Sequence, residues 1–527
     1  MDREPSGSLD CEPEGSRSKQ VSDLDDITTF LRARLGPDAQ VIDTHISRVV
    51  VGRERAYKVK KRVAFSYLDF STREKRATAA ANEVAINRRT APGIYLGLRR
   101  VTRTNDGALE LDGAGETVET IVEMRSFDQA DLFDQMAQRG ALTAQLMTRL
   151  TERLVVFHRD AAPCFDFGGA DGMAQILALD EGALAGSGLA TPQRIAAFET
   201  ALRDKLAALA ALLDARRATG KVRRCHGDLT LRNICLFEGE PTPFDAIEFD
   251  ERLATIDVLY DLAFLLMDLT HRGLATHANL VFNRYLDIAD EIDGLPALPF
   301  FMAVRASIRA HVTATQAHAA RGEAADALGA EAQAYFDLAE RLLAPKPPIL
   351  VAIGGFSGSG KSTLAAALAP HTGAAPGARI LSSDRIRKKL HGVAPTERLP
   401  QEAYAPAVSE HVYRAMRDEA ARVLALGGSV VADAVFDRPQ LADAIERVAS
   451  DADASFQGLW LTSGRDEMAR RIGARRGDPS DATIEVLDNQ IARGASPAHW
   501  TRLDADRPAP ALADAARALL VRTSDRC

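Results

Sequence analysis

The stretch Gly355-Phe356-Ser357-Gly358-Ser359-Gly360-Lys361-Ser362 sets a lysine and a serine behind glycines spaced to leave backbone N–H groups bare. An apolar run, Ile349 to Gly354, enters this turn and a helical pattern from Ser362 to Ala369 leaves it. Amides exposed in that way, together with the positive end of a helix, bind an anion. Lys361 is placed to reach the β- and γ-phosphates of a nucleotide, and the Ser362 hydroxyl to coordinate Mg²⁺. The expected nucleotide contacts are Gly355, Ser357, Gly358, Ser359, Gly360, Lys361, Ser362 and Thr363. A Gly-rich structural turn is the alternative, but a chance match with both flanks correct is rare. A second acidic group must help to hold the metal, and Asp433 closes the apolar run Val430-Val431-Ala432 where such a carboxylate belongs. The same aspartate could instead be a turn residue or a helix cap.

Two further clusters in this region can act on a phosphate. In Ser382-Ser383-Asp384-Arg385-Ile386-Arg387-Lys388, Asp384 can position or deprotonate an acceptor hydroxyl, and Arg387 can bind an anionic substrate or the moving phosphoryl group. Arg470-Arg471-Ile472-Gly473-Ala474-Arg475-Arg476 precedes Asp478-Pro479-Ser480-Asp481-Ala482, and from it Arg471 and Arg475 could close over the phosphates. A solvated basic helix face is the plainer reading of those arginines. Together these motifs resemble the small P-loop kinases of the gluconate kinase, polynucleotide kinase and zeta-toxin group. The resemblance covers nearly all of 347–527 and implies phosphoryl transfer from ATP to a small hydroxyl-bearing acceptor.

A second constellation lies upstream in Cys225-His226-Gly227-Asp228-Leu229-Thr230-Leu231-Arg232-Asn233-Ile234. The His-x-Asp order and the five-residue step from Asp228 to Asn233 follow the kinase pattern of a proton-accepting carboxylate and a Mg²⁺-binding asparagine. Phe244-Asp245-Ala246-Ile247-Glu248 then offers a metal-binding carboxylate, Asp245 by first choice and Glu248 as the alternative. These residues resemble the aminoglycoside phosphotransferase and choline kinase superfamily, whose fold is that of protein kinases. That family needs a strand lysine on the α- and β-phosphates, paired with a helix glutamate. Lys58, in Ala56-Tyr57-Lys58-Val59-Lys60, and Glu83 fill those roles, with Lys60 on the same strand face. Asp261 matches a family aspartate that caps a helix and steadies the catalytic loop. The segment 47–55 lacks a run of glycines like that of a protein kinase. The pairing of the two regions looks like the bacterial proteins described as bifunctional aminoglycoside phosphotransferase/ATP-binding proteins.

The chain of 527 residues is too long for one core. Residues 1–20 read as a disordered tail, 21–343 as the α+β protein-kinase-like domain, and 344–348 as a linker whose prolines cannot continue a helix. Residues 349–527 read as an α/β P-loop domain with a parallel sheet. Expected elements are a helix over 27–35, strands over 41–51 and 55–60, a helix over 72–89, and a strand over 118–124. Ala/Leu-rich helical stretches at 125–220 and 255–340 are the candidate acceptor-binding insertions. The net charge of −8 argues against a general nucleic-acid surface. Five scattered cysteines with no paired spacing argue against disulfides and zinc. The start of the chain has no apolar targeting region and no run is long enough to span a bilayer, so the expected location is the cytoplasm. Expected cofactors are ATP and Mg²⁺, and the expected partner is a small hydroxyl-bearing molecule. Two rival readings remain: a nucleotide-sensing regulator, and a zeta-toxin-like kinase acting on nucleotide-sugars or RNA ends.

Overall fold

The computed structural model describes residues 14–65, 68–494 and 496–524. The chain packs as two compact units, Met1–Leu142 with His226–Ala254, and Thr143–Cys225 with Thr255–Cys527. Their borders fall elsewhere than the Pro-rich run at 344–348.

In the first unit, helix α1 (Glu14–Leu35) starts earlier than the expected 27–35 and takes in part of the segment read as a tail. The rest of that tail lies outside the described residues. Strands β1 (Gln40–Asp43) and β2 (Ser47–Val51) replace the single strand expected over 41–51. Thr44 turns the chain: its hydroxyl accepts from the Ser47 amide at 2.9 Å, and its own amide donates to the Ser47 carbonyl. With β3 (Arg55–Lys60), β4 (Tyr95–Arg103), β5 (Leu109–Leu111) and β6 (Glu116–Arg125) they form a six-stranded antiparallel sheet in the order β1-β2-β3-β6-β4-β5. Side chains alternate across a strand, which fixes what β3 offers to each face. Tyr57 and Val59 meet Ile27 and Leu31 of α1, together with Val50, Val101 and Ile121. On the other face Val122 and Tyr95 meet Ala80 and Val84 of α2 (Arg73–Asn87). That helix starts where the sequence places it, with the Thr72 hydroxyl capping the Lys75 amide. A hairpin of β7 (Ile234–Phe237) and β8 (Glu240–Pro243) follows the His226–Asn233 segment.

The second unit contains the helices α3 (Ala144–Asp160), α4 (Pro192–Ala218), α5 (Val258–His271) and α6 (Ala275–Ile288), followed by the P-loop region. Five parallel strands make its sheet: β9 (Ile349–Gly354), β10 (Arg379–Ser382), β11 (Val430–Asp433), β12 (Ser455–Thr462) and β13 (Thr501–Asp504), ordered β10-β11-β9-β12-β13. Every residue of β9 is buried, as a central strand covered on both faces requires. Helices α7 (Lys361–Leu368), α8 (Ser383–Leu390), α9 (Pro406–Ala425), α10 (Arg465–Ala474) and α11 (Ile484–Arg493) carry or support the site. The fold class is therefore α+β around an antiparallel sheet in the N-terminal part, and α/β with a parallel P-loop sheet in the C-terminal part.

Helix α6 seals the exposed edge of β10. The Asn279 amide donates to the Pro376 and Ala378 carbonyls, and Asn283 donates to the Ala378 carbonyl and accepts from the Ile380 amide at 2.7 Å. Asp287 then takes Arg379 at 2.7 Å and Arg385 at 2.8 Å. Side-chain amides thus stand in for the missing neighbour strand.

Two smaller expectations change. Asp257, not Asp261, caps α5, accepting from the Leu259 amide at 2.8 Å. Asp261 sits inside the helix, fully buried, and holds His158 Nε2 at 3.0 Å while Tyr285 holds Nδ1. Among the described residues the cysteines Cys164, Cys225 and Cys235 form no disulfide, and no helix is long and apolar enough to cross a membrane.

Candidate functional site

The first unit brings Lys58, Glu83, Asp228, Asn233 and Asp245 into two linked groups. Lys58 projects from β3 toward α2, where its ammonium meets Glu83 Oε1 at 2.8 Å and Asp245 Oδ1 at 2.5 Å. Burial would depress the lysine pKa, but the Asp245 and Glu83 carboxylates hold it well above its ordinary value. Burial would also raise Asp245, and Lys58 brings it below the usual range instead. Asp245 has φ of +62°, a conformation that non-glycine residues avoid unless their surroundings impose it. Those surroundings are visible. The Tyr95 hydroxyl accepts from the Asp245 amide at 3.2 Å, and Asn87 Oδ1 accepts from the next amide, Ala246, at 2.9 Å. Glu248, the alternative metal ligand, is buried against Lys60.

The loop from His226 to Asn233 is zipped to the segment that carries Asp245. The Ile247 amide donates to the His226 carbonyl, and the Phe244 amide donates to the Asn233 carbonyl. His226 Nδ1 accepts from the Asp228 amide at 3.3 Å, so Nε2 carries the proton and donates to the Phe244 carbonyl at 2.9 Å. Gly227 has φ of +84°, a conformation that other residues adopt only with strain, which favours glycine there. Asn233 Nδ2 donates to both the Asp228 carbonyl and Asp228 Oδ2, at 2.9 and 2.8 Å. The Asp228 carboxylate is thus oriented by the residue that the kinase pattern gives to the metal.

In the second unit the P-loop wraps the start of α7. Gly358 has φ of +82°, and a Cβ there would lie 2.5 Å from the Met468 carbonyl, so α10 can lie against the loop only because that side chain is absent. The Lys361 ammonium folds back to the Phe356 carbonyl at 3.0 Å. The Ser362 hydroxyl donates to Asp433 Oδ2 at 2.6 Å. Burial depresses Lys361, with Asp433, Asp384, Arg475 and Asp478 as the charges around it. Burial pushes the Asp433 carboxyl up to about 6, and raises Asp384 as well. Thr363 lies exposed in the first turn of α7.

The expected phosphate-side arginines divide. Arg475 is half-buried and its Nη1 is buried without a partner. Arg471 is held by Glu467 and by the Ala505 carbonyl, with Nη1 on the side of Gly360. Arg387 is mostly committed to structure: Nη1 donates to the Ala403 carbonyl at 2.7 Å, its plane lies over Tyr404, and only the buried Nε lacks a partner. Ser359 Oγ is also buried and unpartnered. Unpaired buried donors around the loop, beside the Ser362–Asp433 pair, fit a triphosphate with its metal.

Sequence reading missed several supports. Asp481 is the common acceptor for Lys388, the Leu399 amide and the Tyr404 hydroxyl, at 2.5, 3.0 and 2.6 Å. Gln490 accepts from the Ser357 amide at 2.8 Å. Asn87 and Tyr95 hold the backbone at Asp245. The only signal for Asp481 was its place in Asp478-Pro479-Ser480-Asp481-Ala482; the others carried none.

Residues 350–497 match the family model described as an AAA domain. With the geometry above, the C-terminal part is a nucleotide-binding P-loop domain. An uncharacterized protein of Mycobacterium tuberculosis (strain ATCC 25618 / H37Rv) is 29% identical over 487 residues, 90% of this chain and 93% of that relative. A solved choline/ethanolamine kinase family protein from Mesorhizobium loti is similar at 14% identity, covering 61% of this chain and 99% of that chain, with a TM-score of 0.37. A gluconokinase from Sinorhizobium meliloti 1021 is similar at 21% identity, covering 35% of this chain and 97% of that chain, with a TM-score of 0.25.

Proposed function

We propose that the protein is an ATP- and Mg²⁺-dependent phosphotransferase with two nucleotide sites, each transferring the γ-phosphoryl group to a hydroxyl of a small molecule. The observation that carries this reading is that each unit sets a buried or half-buried lysine beside a carboxylate suited to a metal: Lys58 with Asp245, and Lys361 with Asp433. Asp228 and Asp384 supply a second carboxylate to each site.

In the first site Lys58 binds phosphate oxygens, and Asn233 and Asp245 are the metal-holding residues. Asp228, with Oδ2 fixed by Asn233, takes the proton of the acceptor hydroxyl on Oδ1 as the new oxygen–phosphorus bond forms and ADP leaves. In the second site the P-loop amides and Lys361 hold the phosphates, while Ser362 and Asp433 are the metal-holding pair. Asp384, raised by burial, accepts the hydroxyl proton, and Arg475 meets the charge on the transferring group. Magnesium, when bound, supplies charge neutralisation at the phosphate oxygens. Most of the rate enhancement comes from positioning and preorganised charge.

The test is ADP release by the intact chain across a panel of sugars, aminoglycosides and amino alcohols. Asp228→Asn should lower turnover on one class of acceptor, and Lys361→Ala on another, each by about 100-fold or more. If neither change alters turnover on any acceptor while nucleotide still binds, the chain senses nucleotide and this reading is wrong.

A further inference from the structure

Strand β3 carries a second lysine with no place in the chemistry above. Lys60 points to the same face as Lys58 but deeper, and is 2% exposed. Its ammonium lies 2.5 Å from Glu83 Oε2, pairs with Glu248, and sits 5.4 Å from the centre of the Phe70 ring. Lys58 holds the other oxygen of the same glutamate. The result is an unbroken chain of paired groups, Asp245–Lys58–Glu83–Lys60–Glu248, in which two lysines alternate with three carboxyl groups.

We propose that Lys60 and Glu248 are positioning residues for the first site, holding Glu83 from behind so that Lys58 can exchange Asp245 for nucleotide phosphate without leaving Glu83 uncompensated. The proposal rests on the first-site reading given above. Lys58 is shared between Asp245 and Glu83, yet a phosphate-binding lysine must turn part of its charge to the nucleotide and release Asp245 to a metal. Glu83 is fully buried, and a buried carboxylate that loses its cation costs several kcal/mol. Because Lys60 stays on Oε2, Glu83 keeps a cation throughout the exchange.

Glu248 completes the arrangement as the second carboxyl group paired with Lys60. It follows Ile247, whose amide is bonded to the His226 carbonyl. The Lys60–Glu248 pair therefore ties α2, through Glu83, to the same backbone that carries Asp228 and Asp245. Stability alone is a poor reason to bury such a pair, since apolar groups of similar volume serve as well or better. That difference separates a positioning role from a structural one.

The experiment uses the full chain carrying Lys361→Ala, so that magnesium-dependent ATP uptake, measured by calorimetry, reports the first site. Lys60→Met alone should lower Tm and weaken uptake, because buried Glu248 loses its cation and Glu83 is left to Lys58 alone. Lys60→Met with Glu248→Leu removes the pair together. The expected result is a Tm close to that of the parent but a Kd for Mg·ATP still about tenfold or more weaker. A double variant that regains both Tm and parental Kd overturns the proposal and makes the pair structural. Should that variant not fold, Lys60→Gln with Glu248→Gln, a neutral hydrogen-bonding pair, is judged by the same two outcomes. No uptake by the Lys361→Ala parent would instead overturn the first-site reading itself, and this proposal with it.

Discussion

Asp433 is the residue whose protonation should be visible from outside. Burial raises its carboxyl to about 6 beside Lys361, Ser362, Asp384 and Asp478. The folded value lies above the ordinary one, so between about pH 4 and 6 the folded chain binds the extra proton, and this group lowers stability as pH rises through that window. Metal binding requires the ionised form. With the first site silenced by Lys58→Met, magnesium-dependent nucleotide uptake should be flat above pH 7 and fall about tenfold per pH unit below 6. Asp433→Asn should be weak at every pH, and calorimetry over pH 5–8 checks both. Uptake that stays flat through pH 5 would remove Asp433 from the metal. Residues of this kind were legible in the sequence because their chemistry dictates type and spacing together: Lys361 before Ser362, Asp228 five positions before Asn233. The residues that hold them were not legible. Gln490 reaches the Ser357 amide across 133 positions, and Asn87 reaches Ala246 across 159. No local pattern announces an amide whose partner is so distant.

Elements were read well where a cap or an apolar period marked them, and poorly where a side chain turned the chain. Thr72 announced α2, and the buried run of β9 announced the central strand. The break between β1 and β2 depends on one threonine hydroxyl inside a run that otherwise alternates like a strand, so 41–51 read as continuous. The segment 475–483 between α10 and α11 has no regular structure, and two carboxylates fasten it, Asp384 through the Ser480 side chain and its own Asp481. Asp481 joins it to Lys388 on α8, to the Leu399 amide and to Tyr404. Asp481→Ala leaves Lys388, 1% exposed, without its carboxylate, a loss of about 3 kcal/mol for a buried pair broken on one side. Hydrogen exchange should therefore speed by about 100-fold at amides in 397–404 and 475–483 and stay unchanged in β9. Exchange that rises equally throughout the P-loop domain would mean that Asp481 supports the whole fold and not a latch.

At the scale of the molecule, the prolines at 345, 347 and 348 read as a joint between independent parts, yet α6 and β10 are stitched across it. Asn279, Asn283 and Asp287 satisfy carbonyls, an amide and two arginines on β10 and its flanks. Sequence could not reveal this, because asparagines on a helix read as solvent-facing until an open strand edge is set against them. If a protease site is placed in the 344–348 run and cut, the fragments should co-elute on gel filtration. Asn283→Leu, which strands the Ile380 amide and leaves the Ala378 carbonyl to Asn279 alone, should cost about 1–3 kcal/mol in urea unfolding. Fragments that separate freely at micromolar concentration would restore the prolines as a true hinge.

Strand β10 passes into α8 with no residue between them, Ser382 ending one and Ser383 starting the other. Asp384, one position further on, is therefore bolted through β10 to α6 and cannot travel. Arg475 stands at the start of the strip 475–483, which Asp481 fastens to Lys388, the Leu399 amide and Tyr404 and which Ser480 fastens to Asp384 itself. The carboxylate thus sits on a sheet edge stitched to a helix and the arginine on an irregular strip, so an acceptor of a different size is expected to displace the arginine before the carboxylate.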